Sequence, residues 1–116
     1  MRYDILNVGV EATRLEGLLA AALKAVEEPD RYGPKTHLKA PNGGWLRVRP
    51  AVTNDAVSVV SLNSDLPDSE HNAWAVEVFN AACGATTAAV ELFDEDDNVV
   101  KSRHRRRQLD SGEVAR

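Results

Sequence analysis

Four consecutive residues, Pro41-Asn42-Gly43-Gly44, leave the backbone little choice but to reverse direction. On both sides of them the chain alternates: Lys35–Ala40 before, Trp45–Val52 after. Side chains alternate across a strand, so the length of the reversal decides which residues share a face. A three-residue loop, Asn42-Gly43-Gly44, pairs Ala40 with Leu46 and Leu38 with Val48 and turns all four toward a core. The opposite face then carries Lys35, His37, Lys39, Trp45, Arg47 and Arg49. A two-residue loop would set Lys39 against Leu46 and mix polar with apolar residues on both faces. The three-residue loop is therefore the predicted one. A further turn at Thr53-Asn54-Asp55 leads into Ala56–Leu62, whose valines suit a third strand of a meander.

Elsewhere the pattern changes period. Leu15, Leu18, Leu19, Ala22, Leu23 and Val26 recur as an apolar stripe at helical spacing, which predicts a helix over Glu11–Glu28 ended by Pro29. Thr13 with Glu16 suits a capping box, or the helix begins a turn earlier. Residues 29–34 read as a loop. Asp68 or Ser69 is the expected N-cap of a second helix, with Ala75, Val76, Val78, Phe79, Ala82 and Cys83 on its buried side and Gly84 as a left-handed C-terminal residue. Thr87–Phe93 and Asn98–Arg106 form a hairpin around Glu95-Asp96-Asp97, setting Leu92 against Val100 inside and Glu91 against Lys101 outside. Arg103 and Arg105 continue that outer side. Residues 2–8 fit a short strand, a helix lead-in or an arm. The predicted fold class is α+β: an antiparallel sheet of about five strands with two helices packed mainly on one face. Residues 1–106 form a single domain, and 107–116 a polar C-terminal tail.

A chain of 116 residues with 43% hydrophobic and 28% charged residues can bury one core without staples. No apolar run is long enough to span a membrane, and Met1-Arg2-Tyr3-Asp4 does not read as the opening of a signal peptide. A single cysteine, Cys83, forbids an internal disulfide, so the cytoplasm is the expected compartment.

Chemistry-bearing motifs are scarce. Glycine-rich phosphate loops and nucleophile elbows are absent. Cys83 reads as a structural thiol near a helix C-terminus. His37, His71 and His104 share no ligand spacing, so no metal or cofactor is expected. His71 reads as an exposed first-turn histidine beside Asp68 and Glu70. Asp94, Asp96 and Asn98 open like a calcium loop, but Val99 and Arg105 occupy the positions that need glycine and glutamate. No nucleophile–base pair can be assembled from spacing, which leaves an enzyme the least favoured class.

What remains is charge. The formal net charge is −4, yet alternation gathers Lys35, Lys39, Arg47 and Arg49 beside Trp45, and adds Arg103 and Arg105. Long cationic stems of this kind also cover a sheet while their heads reach water. The favoured function is a non-catalytic binding, adaptor or regulatory module that takes a protein segment or acidic partner through its sheet, by strand addition or on the open face. A free edge equally allows a homodimer. The alternative is phosphate or nucleic-acid binding, with Trp45 stacking on a base and a basic run, Arg103-His104-Arg105-Arg106-Arg107, reaching phosphates.

The order helix, three-strand meander, helix, hairpin resembles the type III secretion chaperone-like fold, including YbjN-like proteins. The resemblance covers about residues 11–106. It rests on Trp45-Leu46-Arg47-Val48-Arg49, Asp65-Leu66-Pro67, Val78-Phe79-Asn80 and Glu95-Asp96-Asp97-Asn98-Val99-Val100. The final turn lacks glycine and no third helix follows, which departs from the pattern. The resemblance implies a non-enzymatic, polypeptide-binding protein that dimerises, and it carries over no functional residues.

Overall fold

The computed structural model describes residues 1–31 and 35–104. Nine elements follow in chain order: β1 (Arg2–Val8), α1 (Ala12–Leu23), β2 (Val26–Pro29), β3 (Thr36–Lys39), β4 (Trp45–Ala51), β5 (Asn54–Ser64), α2 (Asp68–Ala85), β6 (Val90–Phe93) and β7 (Val99–Arg103). The seven strands form one sheet in the order β2-β3-β4-β5-β1-β6-β7, and every neighbouring pair is antiparallel. Both helices lie on one face, α1 over β4 and β5, and α2 over β1, β6 and β7.

The extra strands come from two places. Residues 2–8 are a full strand, inserted between β5 and β6 at the middle of the sheet. The first helix also stops earlier than its stripe predicts. Lys24 takes the left-handed conformation (φ 55°), its N–H meets the Ala21 carbonyl, and the Ala25 N–H reaches back 3.0 Å to the Ala20 carbonyl. This is a Schellman ending, built without the usual glycine. The chain then pairs with β3 as β2, so Val26 is 67% exposed instead of completing the helical stripe. Pro29 belongs to that strand, and the rest of the predicted 29–34 loop lies partly outside the described residues.

The caps differ too. Glu11 caps α1 by accepting from the Thr13 and Arg14 N–H groups, in place of a Thr13–Glu16 box. The N-cap of α2 is Pro67, and Asp68 begins the helix. Gly84 lies inside α2, which runs on to Ala85. No left-handed turn is needed there, because Arg103 covers that end. Its guanidinium donates to the carbonyls of Cys83 (2.9 Å), Thr86 (2.6 Å) and Ala88 (2.5 Å).

Alternation holds across the meander. Leu38, Ala40 and Leu46 are buried and Val48 packs against the core they form with Leu6, Leu15, Leu19, Val60, Leu62, Val78 and Leu92. The turn, however, is Pro41-Asn42-Gly43, one residue earlier than predicted. The Ala40 N–H bonds the Gly44 carbonyl, and Gly43 takes φ 95°. Leu38 therefore faces Leu46, and Lys39 faces Trp45. This two-residue change of register keeps every side chain on its predicted face. Gly44 is needed for space: a Cβ there would come 2.7 Å from the buried Trp74 ring.

The last hairpin departs further. Its turn is the predicted one, with Asp97 left-handed (φ 63°), but a bulge falls between Leu92 and Phe93. Leu92 then faces Lys101, Glu91 faces Ser102, and Val90 faces Arg103. A one-residue slip exchanges the faces of a strand. Lys101 accordingly sits over the Phe79 ring on the helix side, 5.5 Å from its centroid, and Arg103 reaches α2 rather than the outer face.

Candidate functional site

The face of the sheet opposite the helices is uncovered among the described residues. Alternation puts His37, Lys39, Trp45, Arg47 and Arg49 there, beside Tyr3, Ile5, Asn7, Val57, Val59, Ser61, Asn63, Glu91 and Phe93. The registers order these into rows. One runs Lys39–Trp45–Asn63–Tyr3, and another Arg49–Val59–Asn7–Glu91. Ile5, Trp45, Val57, Val59 and Phe93 are half-buried by their neighbours, so the middle of the face is apolar and its β3–β4 side is cationic.

That cationic side is partly neutralised by a group the helical stripe concealed. β2 and the residue after it bring Glu28 and Asp30 to the same side as β3 and β4. His37 Nδ1 lies 2.8 Å from Asp30 Oδ1, and its Nε2 lies 3.2 Å from Glu28 Oε1. Arg47 Nη2 donates to the other Asp30 oxygen. Hydrogen bonds from His37 and then Arg47 hold the Asp30 carboxyl below its ordinary range. In the predicted register Lys39 would face Arg47 and His37 would face Arg49; the observed register, with Lys39 opposite Trp45, forms neither pair. Asp30 bridges His37 to Arg47 in their stead.

Of the predicted site residues, Lys35, Lys39, Trp45, Arg47 and Arg49 are brought to one region of the sheet. Lys35, Lys39 and Arg49 are exposed and have no ion-pair partner among the described residues. Arg103 is not part of this region, and Arg105 lies outside the described residues, as do the remainder of the basic run and the 107–116 tail.

A second constellation was missed by the sequence reading. His71 is fully buried, not exposed, between Ser64 and Asp4. Ser64 Oγ lies 2.6 Å from His71 Nδ1 and accepts from the Leu66 N–H. The other ring nitrogen, Nε2, lies 3.4 Å from Asp4 Oδ1. Burial pushes the Asp4 carboxyl up, and the opposing attraction of His71 is smaller. Serine, histidine and aspartate in line are the parts of an acyl-transfer relay. Here Ser64 and His71 have no accessible surface, so no substrate carbonyl reaches the hydroxyl. The arrangement ties β1, β5 and α2 together. Its signal in the sequence was parity, since Asp4 and Ser64 occupy inward positions in register with Leu6, Val8, Val60 and Leu62. Trp74, 4% exposed, packs edge-on against the His71 ring.

Cys83 is a free, half-buried thiol that packs against the core and borders an open cavity of about 760 Å³ between the start of α1 and the end of α2. No helix among the described residues is long and apolar enough to cross a membrane. No group of metal-ligating side chains occurs among them either. The chain matches no known protein-family model and no curated protein.

Proposed function

We propose that this chain is a non-catalytic binding module that takes an acidic polypeptide segment across the open face of its sheet. The observation that carries the reading is the Asp30 bridge. By engaging His37 and Arg47, it takes two of the predicted side chains out of the basic face and leaves an amphiphilic one. Phosphate binding gains from many simultaneous cation contacts. A polypeptide gains from an apolar centre with a few charges at its rim. Trp45, Ile5, Val59 and Phe93 supply the centre; Lys35, Lys39 and Arg49 supply the rim. The resemblance to chaperone-like, polypeptide-binding proteins points the same way, and the lone Cys83 suits a reducing cytoplasm.

At the β2 edge the residues favour the face over strand addition as the binding mode. Edge strand β2 carries Glu27, Glu28 and Pro29, residues that discourage pairing with another strand. The test is an amide-resonance titration of the full chain with two probes: a glutamate- and phenylalanine-rich octapeptide and a single-stranded oligonucleotide. The peptide is expected to shift Trp45, Ile5 and Val59, with weak salt dependence, and Trp45→Ala with Arg49→Glu should abolish the response. Preferential oligonucleotide binding with a steep salt slope would replace this reading with the nucleic-acid one.

A further inference from the structure

At the other side of the sheet, between α2 and the β1–β6–β7 end, lies a cavity of about 280 Å³. That is room for several water-sized groups at roughly 30 Å³ each. Its walls are mostly apolar: Ala75 and Val76 from α2, Leu92 from β6 and Val100 from β7, with the Asn72 amide of α2 beside them. Its polar end is formed by Asp4 and Asp94, with Arg2 at the rim. The Asp4 side chain is 4% exposed, and the nearest donor on its inner side, His71 Nε2, stays 3.4 Å from Oδ1, too far for a full hydrogen bond. Arg2 does not supply one. Its nearest nitrogen stays 3.9 Å from Asp4, because the guanidinium is drawn to Asp68 (3.1 Å), Glu95 (3.3 Å) and the Asn72 amide oxygen (3.0 Å). Asp94 spends Oδ1 on the backbone N–H groups of Asp96 and Asn98. Three carboxylates, those of Asp4, Asp68 and Glu95, thus lie within 4 Å of a single guanidinium at this end of the molecule, and Asp4 borders the cavity together with Asp94.

We propose that this cavity binds a primary ammonium group on a short aliphatic stem, with the charge at Asp4 and Asp94 and the stem along Ala75, Val76, Leu92 and Val100. A hydrated divalent cation fits less well, since it needs six or more oxygens and two carboxylates against apolar walls do not provide them. An ammonium offers three donors from one point charge, and methylenes that match the walls. The site also answers an imbalance in the protein itself. On its inner side Asp4 faces only His71, and burial disfavours its charged form; an ammonium would compensate that charge without disturbing the Ser64–His71 contact. The inference is independent of the open face, which lies across the sheet.

Two sources share this chemistry, a free alkylamine and a lysine side chain of another polypeptide. The experiment is an amide-resonance titration of the full chain with n-butylammonium, with Nα-acetyl-lysine methylamide and with n-butanol as the neutral isostere. Both amines are expected to shift Ala75, Val76 and Val100, and n-butanol to leave them in place. Tighter binding of the lysine derivative identifies a polypeptide source, and tighter binding of n-butylammonium a free amine. Asp4→Asn and Asp94→Asn should each weaken binding about tenfold or more. Val76→Phe, which fills the cavity and keeps both carboxylates, should abolish it. No shift by either amine at tens of millimolar, an equal response to n-butanol, or unchanged affinity in folded Asp4→Asn and Val76→Phe would overturn the proposal. A Trp45→Ala control keeps the result separate from the open face.

Discussion

Two aspartates show how one residue type takes opposite roles a few strands apart. Asp30 is held in its charged form by donors from His37 and Arg47, so its folded value lies below the ordinary 3.8. Its contribution to stability is complete above that ordinary value and disappears as the pH falls through the depressed one. Asp4 has the reverse sign. Burial raises its folded value, so its contribution favours folding at low pH and fades as the pH rises through the raised value. Urea midpoints measured against pH should therefore show Asp30→Asn flattening the acid limb. Asp4→Asn should raise stability on the neutral side, relative to the parent chain. Gly44 gives a steric case. Its missing side chain is the space the Trp74 ring occupies, and Gly44→Ala should cost about 1–3 kcal/mol in chemical denaturation, since the new Cβ overlaps the buried indole.

At the level of elements, termini decide more than propensity does. Lys24 ends α1 in a conformation that is strained for any residue with a Cβ, and Lys24→Gly should stabilise the chain by roughly 0.5–1 kcal/mol. Arg103 holds three carbonyls at the end of α2. Replacing it by methionine, which keeps length but no donors, should cost about 2–3 kcal/mol and accelerate amide exchange in the last turn of α2. These two ends also mark where the sequence stopped being readable. Strands β3, β4 and β5 and the body of α2 follow directly from the alternating and helical periods, and so does the placing of His37, Lys39, Trp45, Arg47 and Arg49 on one face. β2 does not, because Val26 continues the spacing of α1 and no glycine announces the break. Arg103 looks like the start of a basic tail until the bulge at Leu92 turns it over. The neutralising acids were hidden for the first of these reasons, since Glu28 and Asp30 reach the face only once β2 is a strand.

For the whole molecule, the decisive fact is non-local. Pattern shows that residues 2–8 can be a strand, but no local signal says which strands it joins. Its partners are β5 on one side and β6 on the other, so β1 is the seam between a four-stranded and a two-stranded portion of the sheet. A chain beginning at Gly9 should lose cooperative unfolding and far-ultraviolet strand signal altogether, whereas loss of an edge strand would leave a weakened fold. Because the seam closes through contacts distant in sequence, refolding should fall in the slow, millisecond-to-second range of sheet-rich proteins.

The placement of β1 also sets the order in which the molecule can be assembled in a cell. At about 5–20 residues per second, the first strand leaves the ribosome roughly 4–17 s before β6, its second neighbour, has been made. Throughout that interval Leu6 and Val8 have no finished surface to close against. The nascent chain must wait with its keystone in hand, and the final hairpin locks the arch.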